Sequence, residues 1–210
     1  MSVTINVAKV ADDLLRELIR VMRPLFIDAG KNSTQFVRDI IREELYNSPE
    51  YYAMIPGGEL YHEIGNPEIE SDLAKIIGTL IQNIEVIVKP PSLINNTIEA
   101  SYEIRAIRSD FADILDLKES SFFTEKGRLL RWLSWMLLEG DNEIITGFMF
   151  IGGHEERSRT NYGIMVPGFG ASWGIHQYGG VASDNWLTRA SERILPELVR
   201  EIENNFKKVF

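Results

Sequence analysis

The 210-residue chain has no cysteine. A disulfide framework, a thiolate nucleophile and a thiolate-based zinc or iron–sulfur site are therefore closed to it. Long apolar runs are missing as well. The most apolar stretch, residues 129–138, carries Arg131 and falls far short of the roughly 20 residues a bilayer-spanning helix needs, so no membrane association is expected. Positive charge is in short supply: 22 Lys and Arg stand against 31 Asp and Glu, for a net charge of −9 and an isoelectric point near 4.9. A protein that grips nucleic acid neutralises phosphates with clustered Lys and Arg, so this balance argues against that class and for an acidic, soluble surface. Low-complexity stretches and internal repeats are absent. Met1-Ser2-Val3-Thr4 opens no charged, then apolar leader.

What is present is an ordinary globular composition, 44% hydrophobic and 25% charged, in a chain long enough to bury one core. Val10, Leu14, Leu18, Val21 and Leu25, flanked by Leu15, Ile19 and Met22, recur at helical spacing, and Pro24 is expected to kink or end that helix. Residues 28–33 read as a loop whose Ser33 caps a second helix bearing Phe36, Val37, Ile40, Ile41 and Leu45. Prolines, glycines and asparagines punctuate residues 47–67, which read as a flexible stretch, and Leu73, Ile76, Ile77, Leu80 and Ile81 mark a third helix.

Residues 84–88 make a strand ended by Pro90-Pro91. Residues 98–106 alternate Ile98, Ala100, Tyr102, Ile104 and Ala106 against Glu99, Ser101, Glu103 and Arg105, as a sheet with one wet face requires. A short helix is expected over 110–117 and a longer one over 128–139, so apolar that it must be buried. Trp132 and Trp135 on it serve either the core or a subunit interface, where tryptophan is enriched. The layout specifies an α+β fold: a helical region over residues 1–82, then a body over 83–210 with a mostly antiparallel sheet of about four or five strands and a long C-terminal helix, forming one compact domain.

The end of the chain says most. Residues 144–151, 162–166 and 172–176 read as strands joined by glycine-rich turns. They lead into Ser183-Asp184-Asn185-Trp186-Leu187-Thr188-Arg189-Ala190, where Ser183 or Asp184 is expected to cap the last helix. Leu187, Ala190, Ile194, Leu198, Ile202, Phe206 and Val209 form one face of that helix, and Arg189, Arg193, Arg200, Glu203 and Lys207 the other. The apolar face covers either the chain's own sheet or a neighbouring subunit. Trp132, Trp135, Trp186, Arg189, Arg193 and Arg200 are the candidate interface residues.

Catalytic patterns fail on context. Gly170-Ala171-Ser172-Trp173-Gly174 satisfies the spacing of a nucleophile elbow, but that serine needs a strand-to-helix turn followed by an acid and then a histidine. The histidine after it, His176, precedes Asp184. Gly168-Phe169-Gly170 lacks the third glycine of a dinucleotide turn, and no Walker-type Gly-Lys-Ser/Thr occurs. His62, His154 and His176 are too scattered for a metal cage, with His154-Glu155-Glu156 read as a loop, and Asp12-Asp13, Glu43-Glu44 and Glu155-Glu156 point apart. No catalytic, cofactor-binding or metal-ligating residue is assigned, and no enzyme activity is expected.

Strand, Arg157-Ser158-Arg159-Thr160, strand, a glycine-rich hairpin and the Asn-Trp-Leu-Thr-Arg-Ala helix start together resemble the tail-completion, or head-to-tail joining, proteins of long-tailed bacteriophages. In that family a strand pair runs into an aromatic-Leu-Arg-Pro-Ala helix start, where Trp186-Leu187-Thr188-Arg189-Ala190 stands here. Thr188 and the Arg-Ala order depart from the pattern, and Gly127-Arg128-Leu129 only partly echoes the family's Thr-Gly-Arg-Leu. The resemblance spans about residues 97–210. Glu59-Leu60-Tyr61-His62-Glu63-Ile64-Gly65 also looks like a segment of phage virion proteins. The resemblance implies a virion structural protein of the neck, without cofactor, in a ring of about six or twelve subunits that contacts other neck, connector and tail proteins. Genome DNA would pass through the lumen without specific binding, which an acidic wall favours. The alternatives are a tail terminator of the same region, or a small-molecule-binding or hydrolytic α+β protein using residues 168–176.

Overall fold

The computed structural model describes residues 7–95, 97–105, 110–124, 127–140, 145–174 and 177–208. The expectations placed on Met1-Ser2-Val3-Thr4, Ala106, Ile144, Ile175, His176 and Val209 lie outside them, as does the side chain of Val10. The class is α+β. Among the described residues the strands pair as three separate two-stranded antiparallel ribbons, in place of one sheet of four or five strands.

The chain forms two compact units and crosses between them repeatedly. The first takes in Met1–Asp39, Ile84–Ala106 and Pro196–Phe210, and the second Ile40–Asn83 and Ile107–Leu195. The first and last segments of the chain share a unit, which local sequence pattern does not reveal.

Helix α1, Val7–Tyr46, runs unbroken through Pro24 and through the stretch expected to be a loop. A proline inside a helix removes one amide donor and crowds the preceding turn, a penalty of about 3 kcal/mol that tertiary packing must offset. The residue expected to cap a new helix does something else: the Ser33 hydroxyl donates to the Ala29 carbonyl at 2.9 Å, and Thr34 does the same to Gly30 at 3.2 Å. Both hydroxyls are absorbed by the continuous helix, so Ser33 starts no new one.

In the first unit, strands β1 (Glu85–Ile94) and β2 (Thr97–Arg105) pair from Glu85↔Arg105 to Ile94↔Thr97. Pro90-Pro91 do not end β1; the register shifts between Lys89 and Ser92, so the prolines sit in a bulge where no ladder donor is required. On β2, Ile98, Tyr102 and Ile104 are half-buried and the residues alternating with them exposed, as expected; Ala100, on the apolar side of the alternation, is exposed as well. The terminal helix α7, Trp186–Lys207, brings Leu198, Ile202 and Phe206 into this unit. Phe206 stacks on Tyr102 at 5.3 Å and meets Phe26 of α1 at 4.3 Å. Gly30 permits the approach of β1: a methyl group there would overlap the Val88 side chain.

The second unit holds short helices α2 (Pro49–Met54), α3 (Glu59–Ile64), α4 (Ile69–Gln82), α5 (Ala112–Leu115) and α6 (Trp132–Leu137). Residues 47–67, expected to be flexible, are ordered into α2 and α3, whose Met54, Leu60 and Ile64 are buried. The turn residues that suggested flexibility are caps: Ser48 accepts from Tyr51 N, and Gly65 ends α3 in the left-handed conformation at φ 70°. The helix expected over 128–139 is six residues long because Leu129–Leu130 pair instead with Phe122–Phe123, as strands β4 and β3. α4 buries Leu73, Ile76, Ile77 and Leu80 as its spacing predicts.

Two substitutions test this arrangement. Gly30→Ala gains helix propensity of about 1 kcal/mol but forces overlap with the stiff, β-branched Val88; overpacking of this kind costs about 1–3 kcal/mol, so net destabilisation in thermal or urea unfolding is expected. Leu198, 4% exposed, is the sharper probe. Leu198→Asp buries an unpaired carboxylate and should remove several kcal/mol from a typical total of about 5–15 kcal/mol, whereas Arg200→Asp on the exposed face should melt near wild type. A wild-type melt for Leu198→Asp would contradict the packing.

Candidate assembly surfaces

The start of α7 is fixed by a cap that the sequence placed one or two residues too early. Neither Ser183 nor Asp184 caps it. Asn185 does: its Oδ1 accepts from the backbone of Leu187 and Thr188 at 3.0 and 3.1 Å, and its own amide N–H donates to Thr188 Oγ1 at 2.7 Å. The exchange is reciprocal, as in a capping box, with threonine in the usual glutamate position. A tight turn in which Val181 and Asp184 exchange backbone hydrogen bonds delivers Asn185 to this place. Gly179 and Gly180 lie against the end of α6, where Gly140 N donates to Gly180 O at 3.0 Å; a side chain on any of these three glycines would meet backbone.

Trp186, fully buried, donates from its indole to Ser48 Oγ at 2.7 Å. One turn on, Arg189 is half-buried rather than fully exposed as its place on the polar arc predicted. Its Nε donates to Glu50 Oε1 at 2.8 Å, its Nη1 to Asp184 Oδ1 at 2.8 Å and its Nη2 to Tyr178 O at 3.3 Å. Burial works against its charge, but the carboxylates of Glu50 and Asp184 outweigh that and hold its pKa above the usual arginine value. The Glu50 side chain is 6% exposed, and its second oxygen has no hydrogen-bond partner.

These contacts sort the six candidate interface residues. Trp132 and Trp186 are fully buried and Trp135 nearly so, all by packing within the chain: Trp132 Nε1 donates to Glu119 O at 3.0 Å, and Trp135 meets Trp173 edge-on at 5.8 Å. Their rings have no free face to offer. Arg189 is an internal tie, and Arg193 pairs with Glu44. Arg200 remains at the surface, with Glu197 and Glu201 as its neighbours.

Exposed apolar surface lies elsewhere. Strands β5 (Ile145–His154) and β6 (Tyr162–Trp173) form a ribbon in which no residue of β5 is buried and neither strand contains a charged side chain. His154, expected in a loop, is the last residue of β5 and pairs with Tyr162. The ribbon's central register runs from Phe148↔Pro167 to Ile151↔Ile164, with bulges on both sides. Phe148, Met149 and Ile151 are 39–50% exposed, and Phe169 is wholly so. A second patch runs along the first half of α1, where Leu14, Leu18, Val21 and Leu25 are 46–66% exposed. The helical spacing of this stripe is legible in the sequence, and its exposure is not.

Compared with known protein families, curated proteins and solved structures, the chain matches none. What it does must be read from its own geometry.

The hydrolase pattern does not assemble among the described residues. Ser172 lies within β6 opposite Thr146, in extended pairing rather than at a strand-to-helix turn, and residues 168–173 belong to the ribbon. No group of three His, Asp or Glu side chains is placed to hold a metal among the described residues. A cavity of about 250 Å³ opens beside Trp135 and Trp173, with Arg128 and Arg159 on its wall. The carboxylate on its wall, Glu63, accepts from Trp173 Nε1 at 2.6 Å.

Because Arg189 compensates a buried carboxylate, Arg189→Met should destabilise by about 3–5 kcal/mol, the range for breaking a buried pair. Arg193→Met and Arg200→Met should each stay within about 1 kcal/mol, as exposed pairs do. Chemical denaturation of the three variants separates an internal tie from surface charges. Equal, small effects would mean that Glu50 finds other solvation.

Proposed function

We propose that this protein is a structural component of a bacteriophage virion, placed at the neck, where it assembles as a ring that joins the connector to the tail. Its chemistry is association, without turnover. The observation that carries the reading is the β5–β6 ribbon: charge-free, apolar and uncovered, it is a surface that a lone protein rarely exposes and an assembling one needs. The order of elements also supports it. An antiparallel strand pair is followed by a helix start capped at Asn185 and anchored by Trp186, the same order that carries the resemblance to tail-completion proteins. The net charge of −9 suits a channel wall from which DNA must slide freely. A tail terminator would share all of these features and act one tier further along.

The ring is expected to contain about six or twelve copies, because closed rotational symmetry is the usual solution for heterologous contacts. Mass spectrometry of purified particles should find the chain, and electron microscopy should place it in a rotationally symmetric tier. Absence from particles would overturn the reading. Ser172→Ala should leave folding and assembly unchanged, and a fluorophosphonate probe should not label the wild-type protein; labelling at Ser172 would revive the hydrolase alternative.

A further inference from the structure

The cavity beside Trp135 and Trp173 lies wholly within the second unit and combines two kinds of wall. Its apolar wall is largely aromatic: the two indoles meet edge-on at 5.8 Å, and Phe150 and Met165, paired across the β5–β6 ribbon, extend it. Its charged side carries Arg128 and Arg159, both exposed, so their guanidinium groups stand where the cavity opens to solvent. Local structure places them. The β3–β4 hairpin sets Arg128, whose backbone exchanges hydrogen bonds with Thr124 at 2.8 and 3.0 Å. Arg159 donates from Nη1 to Phe123 O at 3.1 Å and lies over the Phe122 ring, 5.1 Å from its centre. Most of its five donors stay open to a ligand.

Arg16, Arg20, Arg157 and Arg189 are each paired with a carboxylate. Arg128 and Arg159 form no ion pair with a described residue, although acidic side chains outnumber basic ones by 31 to 22 in the chain. The carboxylate on the cavity wall, Glu63, is engaged by the Trp173 indole. Counting histidine as neutral, the two arginines against this one glutamate leave the wall with a surplus of positive charge. A single anionic group on an apolar body satisfies both walls. Guanidinium takes a carboxylate through paired N–H donors, and the body leaves water against the indoles. At about 250 Å³ the cavity lies just below the about 300–1,000 Å³ typical of sites for drug-sized ligands, so its occupant is small.

We infer that this cavity binds a small monocarboxylic acid with an aromatic or branched apolar body, its carboxylate held by Arg128 and Arg159. The site is independent of the ring reading, which neither requires nor excludes it.

The test titrates phenylacetate into the intact protein and follows the indole N–H signals by NMR. One-to-one binding is expected, with Trp135 and Trp173 shifting and Trp132 and Trp186, whose N–H groups are bonded elsewhere, unmoved. Phenylacetamide, with the same body and no charge, should bind about tenfold more weakly or worse, the scale of a charge-assisted hydrogen bond. Arg128→Gln and Arg159→Gln should each weaken phenylacetate by a similar factor while melting as wild type does, since both positions are exposed. Acetate and inorganic phosphate, which bring charge without a body, should not compete. Equal affinity for phenylacetamide, unchanged affinity in both arginine variants, or shifts confined to Trp132 and Trp186 would each overturn the site. Competition by acetate or phosphate at the concentration of phenylacetate would do the same, because it marks a surface anion contact. If neither phenylacetate nor 3-methylbutanoate binds at millimolar concentration, the inference falls and the ring reading is untouched.

Discussion

The second unit depends on one buried indole. Trp186 lies in the first turn of α7, and its N–H has a single destination, the hydroxyl of Ser48 at 2.7 Å. That hydroxyl also accepts from Tyr51 N at the start of α2 and donates to Leu45 O at the end of α1. Three helix ends therefore meet on one oxygen. A buried polar atom left without a partner costs free energy comparable to several ordinary contacts, so these helix ends are held to a narrow geometry. The Arg189–Glu50 pair one turn further along has the same effect with charge in place of a neutral bond. Together they tie the last helix to the first third of the chain.

The polar constellation at the start of α7 is engaged with other parts of the same chain. Its hydrogen-bonding capacity is spent inside the fold: Asn185 on the cap, Trp186 on Ser48, Arg189 on Glu50, Asp184 and Tyr178. The exposed apolar side chains of the ribbon and of the first half of α1 take no part in these ties.

Periodicity and turn chemistry decided a good deal before any coordinates. The α+β class, the half-buried face of β2, the buried face of α4 and the apolar arc of α7 from Leu187 to Phe206 all follow from spacing, because a helix or strand with one apolar side must bury it. Other features were beyond it for identifiable reasons. Pro24 and the 28–33 stretch look like a break because local preference favours one, whereas α1 runs through them with Phe26 packed on Phe206 and Gly30 against Val88. The cap of α7 was misplaced because Ser183, Asp184 and Asn185 are all good caps, and the turn closed by Val181 decides among them.

The sequence by itself determined composition-level facts and one-dimensional periods: an acidic, cysteine-free chain, amphipathic helices, alternating strands and a capped terminal helix. Tertiary structure alone decided which apolar residues are covered and which charges are spent. Leu14 and Leu198 stand on equally regular helical stripes, yet one is 66% exposed and the other 4%. Arg189 and Arg200 stand on one polar arc, yet one is bound to a buried carboxylate and the other lies at the surface. Spacing along a chain fixes which side chains share a face. What that face meets is a matter of long-range contact, whose partners are set by the packing of segments far apart in sequence.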